Sequence, residues 1–177
     1  TKFVQLATLT KNGLPSVRTV VFRGWLNGNS LQPVMKFVSD LRSEKFAAIL
    51  HSENWAEVCW YFQESRDQFR LRGTLTAVGA DVHDGSDEAR ARVEQWRALS
   101  DAARLQFCFP RPGAPRLELE ADCIDPFQPP QPSPMEPVST FGLLLFRPTL
   151  VDHYSARRVE REIYAALISE DRAVREW

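Results

Sequence analysis

A mainly β fold, an antiparallel barrel or sandwich with short helices, is what this 177-residue chain predicts. Three observations lead there. Short runs alternate apolar and polar residues, as half-buried strands do. Turn signals separate those runs at the spacing of antiparallel hairpins. Helical spacing is confined to short stretches, and prolines crowd one segment.

The elements follow in order. Phe3 to Leu9 alternates and reads as a strand, closed by the Lys11-Asn12-Gly13 turn, where Asn-Gly accepts positive φ cheaply. Ser16 to Phe22 is the second strand. Asn27-Gly28-Asn29 turns the chain again. Leu31 to Val38 is a third strand, with Pro33 marking an edge or a bulge. Ser43 is placed to cap a short helix over 43–50. Glu57 to Gln63 and Gln68 to Val78 form a pair joined at Ser65-Arg66-Asp67. Over 86–99, Ala89, Val93, Trp96 and Leu99 fall near one helical face, and Ser100 starts a second short helix.

Nine of the twelve prolines fall within 110–137, the others being Pro15, Pro33 and Pro148. That density predicts a long loop or linker. Phe141 to Phe146 is an apolar final strand, resumed at Leu150-Val151-Asp152-His153. Residues 157–177 read as a terminal helix or a poorly ordered tail. The whole, 1–177, is expected to be one domain, a size that can bury a core. The chain begins at Thr1 inside a strand-like pattern, which predicts further sequence before it.

Composition removes several classes of function. A net charge of −1 gives no general footprint for nucleic acid. No apolar run reaches the length of a membrane span. Cys59, Cys108 and Cys123 are odd in number, widely spaced and outside any zinc pattern. They read as reduced thiols, which predicts a soluble intracellular protein, cytoplasmic or organellar. His51, His83 and His153 are scattered and read as surface or structural residues.

The charge is nonetheless uneven. Residues 18–45 hold Arg18, Arg23, Lys36, Arg42 and Lys45 against only Asp40 and Glu44. A local basic patch on a near-neutral chain suits a small anion better than a polyanion. Arg18 and Arg23 stand at the two ends of one strand and alternate to opposite faces, so the two can serve different anions. Ser43 at a helix start offers free N–H groups to a phosphate, and Lys45 adds a point charge. Gln68 opens its strand with a side-chain amide that both donates and accepts, matching the polar edge of an isoalloxazine or a pyrimidine-like ring. By spacing alone these cations can equally be a solvated barrel surface, and Gln68 a polar strand end.

Four segments together resemble a known family. They are Arg18-Thr19-Val20-Val21-Phe22-Arg23, Phe37-Val38-Ser39-Asp40-Leu41-Arg42-Ser43-Glu44-Lys45, Trp60-Tyr61-Phe62 and Asp67-Gln68-Phe69-Arg70-Leu71-Arg72-Gly73. In this order they resemble the pyridoxamine 5′-phosphate oxidase-like FMN-binding split barrels. Leu99-Ser100-Asp101-Ala102-Ala103-Arg104 and Pro110-Arg111-Pro112-Gly113 are similar to an oxidase-related subgroup rather than to the oxidases themselves. The resemblance implies a six-stranded antiparallel split β-barrel with short helices, and a homodimer with FMN at its interface. It implies that Arg18 and Lys45, helped by Ser43, hold the FMN phosphate. Backbone around Val20 and Val21, with Ser39, would line the ring, Thr19 would be a further cofactor contact, and Gln68 would meet the polar edge.

The sequence also departs from the oxidases. Glu44 stands where they have an Arg before the phosphate Lys, with Arg42 as the substitute. Their Tyr, Arg and Ser that grip substrate phosphate correspond loosely to Trp96, Ser100 and Arg104. Their C-terminal Arg-x-His has no match in Ala156-Arg157-Arg158-Val159. The expectation is therefore an FMN-dependent oxidoreductase of unidentified substrate, with pyridoxamine-phosphate oxidation itself disfavoured and Arg23 as the substrate-anion contact. A non-catalytic FMN-binding module is the alternative. No catalytic side chain and no metal site is expected.

Overall fold

The computed structural model describes residues 1–26, 33–44, 46, 49, 54–83, 85–114 and 128–165. Eight strands make one antiparallel sheet: β1 (Phe3–Leu9), β2 (Pro15–Val21), β3 (Trp25–Leu26), β4 (Val34–Asp40), β5 (Trp55–Phe62), β6 (Asp67–Val78), β7 (Phe141–Ser155) and β8 (Glu160–Ala165). Their order is β2-β1-β5-β6-β7-β4-β3, with β8 added on β7. Two helices, α1 (Asp87–Arg97) and α2 (Asp101–Leu105), and a 3-10 turn at Gln106–Cys108 lie between β6 and β7.

Alternation decides which face is inside. Val4, Leu6, Val20, Met35, Phe37, Val58, Leu71, Leu75, Leu144 and Phe146 come from six strands and pack into one interior cluster. Such a curled sheet buries one face and leaves the other outward. The first half of β7 departs from alternation because it is covered on both sides. Leu144 and Phe146 face the interior, while Leu143 and Leu145 pack with Ala91 of α1. Phe141 joins Trp96, Leu99 and Phe107 in a third cluster.

The sheet is not closed. Its edges are β2 and β3, and the chain itself ties them together. Phe22 N–H donates to Lys2 O (2.7 Å), on the β1 side, whereas Arg23 N–H donates to Lys36 O (2.9 Å), on β4. Between these two residues the backbone changes neighbours. Gly24, at φ 94°, permits the turn, and Lys36 N–H returns a bond to its carbonyl (2.9 Å). The resulting gap between β2 and β4 is the split.

Several expectations change here. The strand count is eight rather than six, because the two-residue β3 and the C-terminal β8 are added. Residues 160–165, expected as helix or tail, form β8 against β7 from Leu150↔Ala165 to Ser155↔Glu160. The buried side of α1 is Ala91, Arg92, Gln95 and Trp96 rather than the face through Ala89 and Val93. Polar groups turn it: Arg92 donates to Phe141 O (3.0 Å) and Val138 O (2.9 Å), and Trp96 Nε1 donates to Ser133 O (2.9 Å). Ser86 and Ser100 cap α1 and α2, accepting from Ala89 and Ala103. The described part of the proline-rich stretch is a loop fastened to these helices, with Gln131 Nε2 donating to Asp101 O (3.1 Å). In the helix expected over 43–50, Glu44, Phe46 and Ile49 are helical. The Asn27-Gly28-Asn29 turn, Lys45, His51 and Cys123 lie outside the described residues.

Candidate functional site

The split opens into a cleft of about 340 Å³ lined by Arg18, Thr19, Val20, Val21 and Arg23 on one side, with Val38, Ser39 and Asp40 of β4 opposite. Leu99, Ala103, Gln106, Phe107 and Pro112 form the third wall. Because β2 is a sheet edge, alternate peptide groups along it have no strand partner and are directed toward this gap.

Arg18 on β2 and Arg23 just beyond its end line one cleft but are treated differently. Arg18 stands opposite Leu6 and donates to Leu6 O (3.1 Å), Thr8 Oγ1 (2.7 Å) and Ser16 Oγ (2.7 Å). All three acceptors are neutral, so its charge is positioned and not cancelled. Burial pushes its pKa down from the ordinary value. Arg23 keeps a buried Nε with no hydrogen-bond partner among the described residues. A buried donor left unsatisfied is costly, and at the wall of a cleft it is available to a ligand; the other such atom among the described residues, Arg104 Nε, does not line the cleft.

Among the described residues, the lining includes one carboxylate, on the opposite wall. Asp40 is bound by Arg42 at 2.6 Å, through both the side chain and the Arg42 N–H (2.8 Å). Its hydrogen bond to Asp40 raises the Arg42 pKa. Arg42 also donates to Phe109 O (2.8 Å), and Arg111 Nε donates to Arg42 O (3.1 Å). Arg42 is thus turned away from the cleft, and its work is to neutralise Asp40. Ser39 and Ser43 are both buried with their hydroxyls 3.3 Å apart. Ser43 therefore adjoins the cleft behind Ser39.

Other expected site residues lie elsewhere. Gln68 faces outward on β6, in register with Tyr61 and Tyr154, while its neighbours Phe69 and Leu71 face the interior. It is three strands from β2 and two from β4. Lys45 is outside the described residues. Trp96, Ser100 and Arg104 do not line the cleft. Trp96 is fully buried, Ser100 caps α2, and Arg104 donates to Trp96 O (3.3 Å), Arg97 O (3.4 Å) and Leu99 O, and to Asp101. Arg104 thereby satisfies carbonyls at the end of α1, a favourable place for a cation. Sequence reasoning missed Gln106 and Phe107, whose place on the cleft wall depends on how α2 folds back. It also missed the masking of Asp40 by Arg42. The ion-pair spacing was the one available signal.

Among the described residues no group of three or more metal-binding side chains stands together. No helix there is long and apolar enough to cross a membrane.

An open antiparallel sheet with a cationic cleft at its split defines the class as a split barrel with a candidate anion site. Comparison with known proteins agrees. The family model described as pyridoxamine 5′-phosphate oxidase, FMN-binding domain, matches residues 1–79. The chain is 32% identical over 168 residues to pyridoxine/pyridoxamine 5′-phosphate oxidase 2 of Arabidopsis thaliana, covering 93% of this chain and 79% of that one. A solved pyridoxamine 5′-phosphate oxidase-related, FMN binding protein from Nostoc punctiforme is 41% identical with a TM-score of 0.83, covering 94% of this chain and 82% of that one. Pyridoxine/pyridoxamine 5′-phosphate oxidase of Rhodospirillum rubrum is 29% identical over 118 residues, 65% of this chain and 54% of that one. The chain belongs to the pyridoxamine 5′-phosphate oxidase-like FMN-binding family, and FMN is the cofactor that membership carries.

The residues present fit that group. The cleft offers two guanidinium charges, a buried serine pair beside it, unpaired edge peptides for the polar rim of a ring, and apolar walls from Val20, Val38, Leu99 and Phe107.

Proposed function

We propose that the protein is an FMN-dependent oxidoreductase, one FMN-binding domain that works as a homodimer. The observation that carries this reading is the pair of uncancelled guanidinium groups, Arg18 and Arg23, at a cleft edged by unpaired β2 peptides. Arg18 and Lys45, with Ser39 and Ser43, would hold the phosphate. Thr19, Val20 and Val21 would border the ring. Arg42 would contribute by masking Asp40, and Arg23 would meet a substrate anion. When bound, FMN supplies a two-electron acceptor; the protein supplies binding, orientation and exclusion of water.

Gln68 supports the dimer. It lies outside the cleft of its own chain, on a sheet face that also exposes Phe3, Val17, Trp55, Tyr61 and Tyr154. A second copy against that face would cover these apolar groups and bring a Gln68 amide to the cleft. Sedimentation of the purified protein should give a dimer, and a monomer at micromolar concentration would refute it.

The cofactor reading predicts a yellow protein that releases FMN on heating, identified by mass. A colourless preparation that takes up no added FMN would sink it. The positions of Trp96, Ser100 and Arg104 favour a second reading, a flavin-binding module without turnover. Bleaching of the bound flavin by reduced nicotinamides or amines under anaerobic conditions selects the oxidoreductase; an oxidised spectrum across such a donor panel selects the module.

A further inference from the structure

The loop that leaves β4 is held from behind the cleft. Asp40 ends β4, and the loop runs through Leu41 and Arg42 to Ser43, whose hydroxyl adjoins Ser39. Leu41 N–H donates to Thr140 O (2.9 Å), and its side chain seats over Gly142, where a Cβ would collide with it. Arg42 sets Nε (3.0 Å) and Nη2 (2.6 Å) on the two oxygens of Asp40, and the same Nη2 donates to Phe109 O (2.8 Å). Arg111 Nε returns a bond to Arg42 O (3.1 Å), and Thr140 Oγ1 donates to Phe107 O (2.6 Å). Among the described residues none of Leu41, Arg42, Phe109, Arg111 and Thr140 lines the cleft, whereas Asp40, Gln106, Phe107 and Pro112 do.

Two walls of the cleft are therefore clasped together outside it. One is the end of β4 with the loop to Ser43, which is the phosphate end on the flavin reading. The other is the segment from Gln106 to Pro112. That segment has little local structure to fix it, since α2 has five residues and the 3-10 turn three. Its position depends on the clasp. Masking Asp40 needs only a nearby positive charge. Gripping both oxygens of a carboxylate while giving a further N–H to a distant carbonyl needs the planar fork of a guanidinium. Walls joined this way respond together, and linkage makes the response reciprocal.

Resting on the flavin reading, we infer that Arg42 is a positioning residue that couples the two walls: FMN held at the Ser39–Ser43 end tightens the Phe107–Arg111 segment, and that segment in turn steadies the loop that receives the phosphate. Arg42 thus has a second task beside masking Asp40. The wall across from β2 firms up when the cofactor binds.

The test follows hydrogen exchange at the Phe107, Cys108, Phe109 and Arg111 amides of the full chain, with and without saturating FMN. FMN uptake is scored separately by quenching of its fluorescence. In the unaltered protein FMN should slow exchange at these amides about fivefold or more. Asp40→Asn combined with Arg42→Ala removes the Arg42 link and leaves no bare carboxylate. This pair should still take up FMN, within about fivefold of the unaltered affinity, while the slowing falls below about twofold. Slowing that persists in the pair would mean that bound FMN merely covers the wall, and would overturn the coupling. Arg111→Ala, at the exposed end of the clasp, should cut the slowing about two- to threefold, and an unchanged factor would overturn the coupling as well. FMN uptake by the unaltered protein with no slowing at all overturns the coupling and leaves the cofactor reading intact. No uptake brings down both.

Discussion

The split and the far end of the same sheet treat their charges in opposite ways. Around β6, β7 and β8 every prominent charge has a partner. Asp152, nearly buried, is held by Arg70 and by Arg161, which donates at 2.8 and 2.9 Å. His153 lies flat on Phe69, ring centroids 4.3 Å apart, with Asp67 3.1 Å from one ring nitrogen and Glu162 3.4 Å from the other. At the split, among the described residues, Arg18 is bonded only to neutral acceptors and Arg23 keeps an unmatched donor. Paired charges fix a strand in place, whereas uncancelled ones hold a field ready for something that arrives later. The difference, more than the charge density, separates scaffold from site.

Substitutions at the two ends should therefore separate affinity from stability. Arg18→Ala is expected to weaken FMN binding about ten- to a hundredfold by fluorescence titration, with a smaller change in melting temperature. If the melting temperature collapses and affinity holds, Arg18 belongs with the scaffold and the contrast fails. Asp152→Ala should do the reverse, lowering the melting temperature by several degrees and leaving FMN affinity alone, because two arginines lose their shared counter-ion. Arg42→Ala should weaken FMN binding without touching the ligand, by leaving the Asp40 carboxylate bare at the cleft. Asp40→Asn in the same chain should recover most of that loss, and additive effects in this double-mutant cycle would refute the masking role.

Acid should act mainly on the far end. Hydrogen bonds from Arg161, and then from Arg70, hold the Asp152 carboxyl down at about 2. Bonds from Ser65, Ser155 and His153 hold Asp67 at about 2 as well. A carboxyl lower in the folded chain than in the unfolded one stabilises fully above about pH 4 and loses that contribution as pH falls toward 2. Denaturant titrations should show that decline, and Asp152→Asn should flatten it. The smallest effect is expected from salt. Raising ionic strength from about 0.05 to 0.5 M should weaken FMN binding only a few-fold, since the cleft is partly shielded. A steep dependence would place the phosphate in open solvent.

The alternating strands were legible because one face of each is buried and the other is not, so Val4, Leu6, Met35, Phe37 and Val58 mark their own orientation. β8 was not, because its residues are nearly all exposed and no glycine or asparagine marks the turn before it. Val159 takes positive φ (57°) there without such a signal. The same holds for the buried side of α1. Arg92 and Gln95 lie inside because carbonyls of the following loop and strand receive Arg92, a tertiary fact that apolar spacing cannot express. At the candidate site, Arg18 and Arg23 stood out by their positions at the strand ends and Ser43 by its place at a helix start, whereas Ser39 entered only through the family resemblance. Whether a cation is free or consumed depends on acceptors distant in sequence, as with Arg42 and Phe109. That is why Arg42 and Arg104 had other occupations.

The tie between the two sheet edges has a mechanical consequence. Phe22, Arg23 and Gly24 form the shortest covalent bridge across the gap, and three residues extend at most about 10 Å. At that end the aperture has a fixed ceiling, however the rest of the sheet breathes. Any widening must hinge about Gly24 and fan outward toward Pro15 and Asp40.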